Sequence, residues 1–407
     1  MFNQDNESVT KILTLRYNPD GKPGTKKLSI KDFMSKKYPK IEDSVISLIK
    51  EDFQKKENTF KLSDVSISLS SGIDSGLTLV MLRKFLPNTK VHCVSVGFAN
   101  TDDETKRAEE LARIYDSDFH RIVLENVFTD LPKLIKIVKE PRWHLYPYYT
   151  FEYGKKRSNV FFTGDGGDEL FGGYTFRYKK FLSDFSKNMN WKNRAKLYLS
   201  CHERDWVPDQ EKIFGKKIKF SWDKIYKIFT PYFRNKLSPL DQVFLSDFNG
   251  KLVFDWIPTN KEFSKSLNLK IESLFLTNKM IKFATHIPWS KKYDPKKNIG
   301  KIPIRKILAN EKGFEKKKIV KKGFGTDLID LWKNNGKEIV GRYVNEDSEM
   351  IKNKIINIDW VDKSRRKIRD EEKSIKLRYI NKMFSLLAFE IWFRLFVTKN
   401  LKSNVKL

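Results

Sequence analysis

The sequence predicts an α/β protein built on a doubly wound, mostly parallel sheet. Short apolar strands alternate with helical segments from about residue 41 to residue 162, which is the pattern of strand–helix–strand units. Two of these strands run directly into loops rich in glycine, serine and aspartate. Because such loops leave the carboxyl ends of parallel strands, we expect the functional site at that edge of the sheet.

Hydrophobic periodicity sets the individual elements. Apolar alternation or short apolar runs predict strands at residues 65–69, 91–98, 119–124 and 160–162, and helical spacing predicts helices at 41–53, 77–86, 102–115 and 127–138. Residues 1–45 are predicted to be an N-terminal extension, with a strand at 11–16, to a domain of residues 46–407. Within that domain we expect a helical insertion at 180–247 and a helical C-terminal part.

Composition narrows the class of protein. The 407 residues are 40% hydrophobic and 14% aromatic, which is enough for a sizeable core. No apolar run reaches membrane-spanning length, the first seven residues are polar, and two cysteines are too few for a disulfide framework. We therefore expect a cytoplasmic protein without a membrane partner. The net charge of +29 comes mostly from scattered lysines, which favours solvated surfaces, with a nucleic-acid-binding face as the alternative.

The first glycine-rich loop, residues 70–75, reads S-S-G-I-D-S. Its small residues let backbone N–H groups approach an anion, and the helix that follows adds the positive end of its dipole. The hydroxyls of Ser70 and Ser75 can donate to phosphate oxygens, whereas Asp74 suits a phosphate site only with a divalent cation between them. The loop lacks the lysine of a Walker A motif. A plain turn between strand and helix is the alternative interpretation.

The second glycine-rich loop, residues 163–174, reads T-G-D-G-G-D-E-L-F-G-G-Y. Asp165, Asp168 and Glu169 lie within five residues of sequence and repel one another unless a cation or a proton intervenes. This loop therefore predicts a second half of a cation-dependent site.

Together the two loops resemble the motifs of the asparagine synthetase family. Residues 70–75 are similar to the S-G-G-x-D-S loop of the N-type ATP pyrophosphatases, with Ser71 in place of the first glycine, and residues 163–174 to the signature S-G-E-G-x-D-E-x-F-G-G-Y. Weaker matches are K-x-x-x-R at 301–305, K-x-G-F-G at 321–325 and a final L-x-x-E-x-W helix at 383–396, whose expected role is packing. The resemblance covers about residues 46–396 and is poor at about 255–272, where the family has its acceptor-site glutamate.

The resemblance implies a PP-loop ATP site with Mg²⁺ as the bound metal. It makes Asp74 and Asp168 the metal ligands, and Lys301 and Lys321 the catalytic cations beside the departing pyrophosphate. Asp165 stands where the family has a longer glutamate thought to act as a base, with a loop-capping carboxylate as the alternative. The implied ATP-binding residues are Leu69, Ser70, Ser71, Gly72, Asp74, Ser75, Val96, Thr163 and Gly164, with Leu69 and Val96 beside the adenine.

One further stretch and the histidines of the chain bear on the site. Residues 141–149 form an aromatic loop with Arg142 and His144, for which packing is favoured over a role as a substrate wall. The five histidines are dispersed, and no His/Cys/carboxylate cluster has the sequence spacing of a transition-metal site.

The resemblance implies an ATP-dependent carbon–nitrogen ligase of the asparagine synthase type. A small carboxylic acid, aspartate or similar, would be adenylated with loss of pyrophosphate, and ammonia or an amine would then displace AMP. Because position 2 holds Phe2 rather than the cysteine of the family's glutaminase domain, we expect nitrogen from free ammonia, an amine substrate or a separate glutaminase subunit. The alternatives are the same chemistry on another acid and amine, as in members that close β-lactam or lasso-peptide rings, an RNA-modifying PP-loop protein, or a non-catalytic binding protein.

Overall fold

The computed structural model describes residues 5–34, 36, 38–60, 62–98, 103–314 and 327–407, without the side chains of residues 103 and 104. Within these ranges the chain forms a parallel sheet in the order β3-β2-β1-β4-β5. The strands are β1 (Asp64–Ser68), β2 (Lys90–Phe98), β3 (Asp118–Leu124), β4 (Val160–Thr163) and β5 (Lys270–Ser273). The sheet grows outward from β1 in both directions, which confirms the predicted doubly wound α/β fold and leaves a crevice where β1 and β4 diverge at their carboxyl ends.

Helices surround the sheet and form most of the second half of the chain. The α-helices of the first half are α1 (Asn6–Leu15), α2 (Ile41–Thr59), α3 (Ile73–Phe85), α4 (Asp103–Ile114), α5 (Leu131–Val138), α6 (Pro147–Lys155), α7 (Gly167–Phe171), α8 (Thr175–Asp184) and α9 (Trp191–Ser200). Those of the second half are α10 (Trp222–Ile228), α11 (Thr230–Phe233), α12 (Pro239–Asp247), α13 (Ile257–Leu267), α14 (Asn278–His286), α15 (Ile302–Leu308), α16 (Leu328–Leu331), α17 (Lys337–Tyr343), α18 (Glu349–Lys352), α19 (Ile358–Asp370) and α20 (Lys373–Phe396). Wide π-helical turns follow α12 and α16, at Phe248–Trp256 and Trp332–Gly336.

The core lies on both faces of the sheet. Cys93 and Phe162 belong to one buried apolar cluster, whereas their chain neighbours Val94 and Phe161 belong to the other. Successive side chains of a strand point to opposite faces, so both faces are covered by helices. None of the helices in the described ranges is long and apolar enough to cross a lipid bilayer.

The predicted strand at residues 11–16 is wrong, because this segment lies in α1 and its C-cap. Asp5 caps the helix by accepting a hydrogen bond from the Ser8 backbone N–H at 2.7 Å. Val9, Ile12 and Leu13 are buried and have the i, i+3, i+4 spacing of a helix face. Tertiary burial of this face prevails over the alternation of apolar and polar residues in K-I-L-T-L-R.

The segment of poorest family resemblance, about residues 255–272, spans the end of the first π-helical turn, all of α13 and the start of β5. The sequence analysis did not predict this strand. Residues 180–247 contain helices α9 to α12 and no strand of the sheet, in keeping with the predicted helical character of this stretch.

The final helix, α20, is packed in the core as expected. Two of its side chains form hydrogen bonds with the ends of other helices. The buried Glu390 carboxylate accepts hydrogen bonds from the backbone N–H groups of Glu349 and Met350 at 2.8 and 3.0 Å, so it caps the amino end of α18. The Trp392 indole donates to the Lys139 carbonyl just beyond α5. The L-x-x-E-x-W element therefore ties three helices together.

Candidate functional site

A cavity of about 540 Å³ opens at the carboxyl ends of β1 and β4. Most of the predicted site residues line it: Ser70, Ser71, Gly72, Asp74, Ser75, Val96, Thr163, Gly164, Asp165, Asp168 and Lys301. Leu69 does not line it; its side chain is buried, and its backbone pairs with Val94 and Ser95. Lys321 and the K-x-G-F-G element lie outside the described residues.

The first glycine-rich loop joins β1 to α3 and is held by its own serines. The Ser75 hydroxyl accepts from the Ser70 backbone N–H at 3.1 Å and lies 3.0 Å from the Ser70 hydroxyl. The Gly72 N–H donates to Ser70 Oγ at 3.1 Å. Among the described residues, no side chain caps the amino end of α3. Hydroxyls and a helix dipole thus converge on one side of the cavity.

Asp74, Asp168 and Lys301 form a compact ionic group, which we call the acidic end of the cavity. Asp74 lies in the first turn of α3 and Asp168 in the first turn of α7. The Lys301 ammonium, on a side chain that is 4% exposed, donates to Asp74 and lies 2.5 Å from Asp168 Oδ1. Burial alone would lower the pKa of Lys301, but the two carboxylates outweigh it and raise that pKa above its usual value.

Glycines make this close grouping feasible. A Cβ at Gly167 would lie 2.6 Å from Asp74 Cγ, and one at Gly164 would lie 2.9 Å from Asp74 Cβ. Gly166, between them, has φ of +90°, a conformation that side chains with a Cβ rarely adopt. The glycines of the second loop therefore let it close over the start of α3.

Asp165 follows β4 and is held by polar partners on two sides. Its Oδ2 accepts from the Thr163 hydroxyl at 2.9 Å and from the Asn260 side-chain amide at 2.7 Å. Burial raises the pKa of Asp165, and these two hydrogen bonds offset part of that rise. A carboxylate with a raised pKa is a stronger base than an ordinary aspartate, although the hydrogen bond from Thr163 also fits a loop-capping role.

Glu169 lies beside the acidic end and is more deeply buried than Asp168. It accepts a hydrogen bond from the Tyr174 hydroxyl at 2.6 Å. Burial, followed by repulsion from Asp168, raises the pKa of Glu169 to about 8. The second loop thus places a carboxyl group that holds a proton near neutral pH beside the Asp168 carboxylate, which contacts Lys301.

Another part of the cavity wall carries basic side chains. Arg16, at the end of α1, and Lys251, in the π-helical turn, line it and share the buried carboxylate of Asp205, at 3.6 and 2.5 Å. We call these three residues the basic end. Burial lowers the pKa of Lys251 to about 8, although Asp205 pulls it upward.

The aromatic loop combines both interpretations that the sequence left open. Trp143 is buried and donates from its indole to Asn381 Oδ1 at 3.1 Å, and it also lines the cavity. Arg142 is buried in an ion pair with Asp255, while His144 lies 3.0 Å from an Arg16 nitrogen through Nδ1. The loop is therefore part of the packed core, and its inner edge forms part of the cavity wall.

Sequence reasoning missed Asn260, Arg16 and Lys251. Asn260 and Lys251 lie in helical segments without a recognisable motif, and Arg16 precedes the first loop by more than fifty residues. No local pattern marks them, since only the tertiary fold brings them to the cavity.

The acidic end fits a divalent cation. Two carboxylates from different loops converge on the Lys301 ammonium, and carboxylate oxygens are the protein ligands that Mg²⁺ prefers, with phosphates and waters completing its shell. Asp74 and Asp168 are the residues that would hold it.

Comparison with known proteins adds the family. The asparagine synthase family model matches residues 57–394. A putative glutamine-hydrolysing asparagine synthetase 2 of Methanocaldococcus jannaschii is 32% identical over 134 residues, which cover 31% of this chain and 26% of that relative. The glutamine-hydrolysing asparagine synthetase 1 of Bacillus subtilis is 23% identical over 396 residues, which cover 88% of this chain and 60% of that relative.

The chain thus spans about a quarter and three fifths of the length of these two relatives. Among solved structures, the U34-tRNA thiolase NcsA of Methanococcus maripaludis is 14% identical, with a TM-score of 0.26, over 58% of this chain and 84% of that one. A similarity at this score supports no argument about this chain.

Proposed function

This chain belongs to the asparagine synthase family, and from that premise we propose that it is an ATP-dependent ligase that forms an amide from a small carboxylic acid. In this proposal the acid attacks the α-phosphorus of ATP, pyrophosphate leaves, and ammonia or an amine then displaces AMP from the acyl-adenylate. The observation that carries the proposal is the shared cavity, in which the first loop, the acidic end and Asp165 face one another.

The first loop and the acidic end would handle the phosphates. The hydroxyls of Ser70 and Ser75 and the amino end of α3 would bind the β- and γ-phosphates. Lys301 would neutralise charge that builds on the departing pyrophosphate, which favours the transition state over the ground state. Mg²⁺, bound by Asp74 and Asp168, would supply charge neutralisation on the phosphate oxygens.

The basic end would hold the acid substrate. Arg16 and Lys251 present two positive groups that share one carboxylate, so a substrate carboxylate balances the charge of that wall. Asp165 would take the proton from the attacking nitrogen, since its raised pKa suits a general base and it lines the same cavity as the first glycine-rich loop.

A different acid or amine from that of the asparagine synthetases is the second candidate. The observation that favours it is that Arg16 comes from α1, before the residues that the family model matches. The acid substrate could then differ while the residues of the shared motifs stay the same. The nitrogen could come from free ammonia or from an amine carried by the substrate.

The proposal is tested by pyrophosphate release. We would incubate the protein with ATP and Mg²⁺, supply aspartate and other small acids with and without ammonia, and compare wild type with Asp74→Ala. The exposed Asp43→Ala on α2 serves as the matched control.

Pyrophosphate release that needs an acid and disappears only in Asp74→Ala is the expected result. Aspartate-dependent release that yields asparagine with ammonia supports the first candidate, and activity with another acid or amine supports the second. No cleavage of ATP with any acid or amine contradicts the adenylation mechanism.

A further inference from the structure

Strand register gathers three metal-binding side chains that lie apart in the sequence. His92 on β2 pairs with Asp118 on β3, and His120 lies two residues further along β3. Paired residues and residues two apart project from the same face of a parallel sheet. One ligand atom from each of the three lies within 4.8 Å of the others, the one such group found in the described ranges.

The histidine nitrogens are disposed as in metal sites. His92 Nδ1 and His120 Nε2 are buried and form no hydrogen bond with any described residue, although His92 Nδ1 lies 3.2 Å from Asp118 Oδ2. The opposite nitrogen of each ring faces a protein oxygen: Asp64 Oδ1 at 3.6 Å from His92 Nε2, and the Tyr153 hydroxyl at 3.3 Å from His120 Nδ1. Such outer partners orient a ligating imidazole and fix its tautomer.

We propose that His92, Asp118 and His120 bind a divalent transition-metal ion such as Zn²⁺. Two imidazoles and a carboxylate favour Zn²⁺ and its neighbours over Mg²⁺ or Ca²⁺, which prefer oxygen ligands. Metal–nitrogen bonds of about 2.1 Å need donor atoms roughly 3.4 Å apart. Side-chain rotation inward by about 1 Å from the present spacing closes the site.

The charged neighbours of the site permit this. The Lys90 ammonium lies 3.2 Å from Asp118 Oδ2, but its side chain is 60% exposed and can turn into water at little cost. The Asp118 carboxylate is itself partly exposed, so an ion has access from solvent. Asp64 supplies additional negative charge behind His92.

The position of the site assigns it a structural role. His92 lies near the amino end of β2 and Asp118 begins β3, whereas the large cavity opens at the carboxyl ends of the strands. β3 is the outermost strand on its side of the sheet. A bound ion would fasten this edge strand to β2 without touching the acidic end.

Titration with Co²⁺ tests the site, with visible absorption and equilibrium dialysis as readouts. Excess Mg²⁺ is present to occupy oxygen-ligand sites. We expect one Co²⁺ per chain, displaced by Zn²⁺, with binding at least tenfold weaker in His92→Gln, His120→Gln and Asp118→Asn. Asp64→Asn is expected to weaken binding about 10- to 100-fold, as loss of an outer partner does.

His286→Gln is the matched control, because it removes a histidine from α14, away from this group. It is expected to bind Co²⁺ like wild type. Asp118→Asn changes a partly exposed side chain, so it separates loss of metal from loss of the fold, which circular dichroism monitors. Absence of stoichiometric Co²⁺ binding in wild type, or binding that is undiminished in both histidine variants, overturns the proposal.

Discussion

The two ends of the cavity carry opposite charge balances. At the acidic end, the carboxylates of Asp74 and Asp168 contact the ammonium of Lys301. At the basic end, the guanidinium of Arg16 and the ammonium of Lys251 share the single carboxylate of Asp205. Carboxylate oxygens suit a divalent cation and cationic side chains suit an anion, so we expect a metal–nucleotide to bind at the acidic end and an acid at the basic end.

Of the substitutions considered, one at Lys301 is expected to have the largest effect on the acidic end. Lys301→Met removes a buried cation from two half-buried carboxylates, which we expect to lower the free energy of unfolding by up to about 3 kcal/mol. We also expect pyrophosphate release to fall at least about 1,000-fold, since a charge that stabilises the transition state is lost. Chemical denaturation and a pyrophosphate assay measure the two effects.

Added Mg²⁺ is expected to restore part of the stability of Lys301→Met, because it supplies the missing positive charge. Lys306→Met, on an exposed side chain of the same helix α15, is the control and is expected to resemble wild type. Equal stability of the two variants would contradict the described ionic group.

A substitution at Asp165 tests whether this residue is the base in amide formation. Asp165→Asn removes the base, and we expect the rate of amide formation to fall about 100- to 10,000-fold, with the KM values for ATP and the acid little changed. In wild type the base form is gained as pH rises through a pKa that burial has raised. The acid limb of kcat/KM is therefore expected above the ordinary aspartate value of about 3.9.

The surface variant Asp223→Asn, whose carboxylate pairs with Lys192, controls for a general effect of losing an aspartate. If Asp165→Asn retains the full rate of amide formation, the loop-capping interpretation of Asp165 is correct and another group is the base.

A substitution at Lys251 tests the proposed role of the basic end in binding the acid. Lys251→Met is expected to raise the KM for the acid about 10- to 100-fold, the value of a hydrogen bond to a charged group, and to leave the KM for ATP unchanged. Because burial lowers the pKa of Lys251 to about 8, its charge is lost as pH rises through that value. The KM of wild type for the acid should therefore rise above pH 8.

That pH dependence should be absent from Lys251→Met. Lys224→Met, on an exposed side chain that pairs with Glu7, is the control. A rise in the KM for ATP instead of the acid would reverse the assignment of the two ends.

The smallest expected effect concerns Glu169, which lines both the main cavity and a small adjoining space beside Asp205 and Lys251. Its pKa of about 8 lies above the usual 4.5, so the folded state binds more protons than the unfolded state between these values. Stability without ATP and Mg²⁺ therefore falls as pH rises through that window. Glu169→Gln keeps an acceptor for Tyr174 and removes this penalty.

We expect the melting temperatures of wild type and Glu169→Gln to agree near pH 5 and the variant to become the more stable one towards pH 9. The gain is at most a few kcal/mol, since one pKa unit corresponds to about 1.4 kcal/mol. Glu338→Gln, on an exposed side chain, should show no such trend.

What the sequence could predict was local. The strand–loop–helix order around residues 65–86 and 160–174 needs only neighbouring residues, and these loops do line the cavity. The basic end could not be predicted, because Arg16, Asp205 and Lys251 are brought together by tertiary packing across more than two hundred residues. Periodicity also misassigned residues 11–16, where burial of one helix face decided the structure.

Other positions could not be predicted from the sequence, because contacts in the folded chain decide where each side chain lies. Thr277 caps α14 by accepting from the Met280 N–H at 3.2 Å, a role that suits threonine. The side chain of Leu69 is buried in the apolar core, and its expected place beside the adenine stays a prediction. Likewise, the dispersed histidines indicated no metal cluster, whereas strand register places His92 next to Asp118.

The position of Arg16 at the end of α1 has a consequence for how the proposed ligase could diversify. The residues matched by the family model begin after this helix, so the side chain proposed to read the acid is encoded apart from the motifs that handle ATP. Selection acting on the short amino-terminal stretch could retune the choice of acid while the activation chemistry is inherited intact. A variant library confined to residues 5–20 is accordingly the place to search for new substrates.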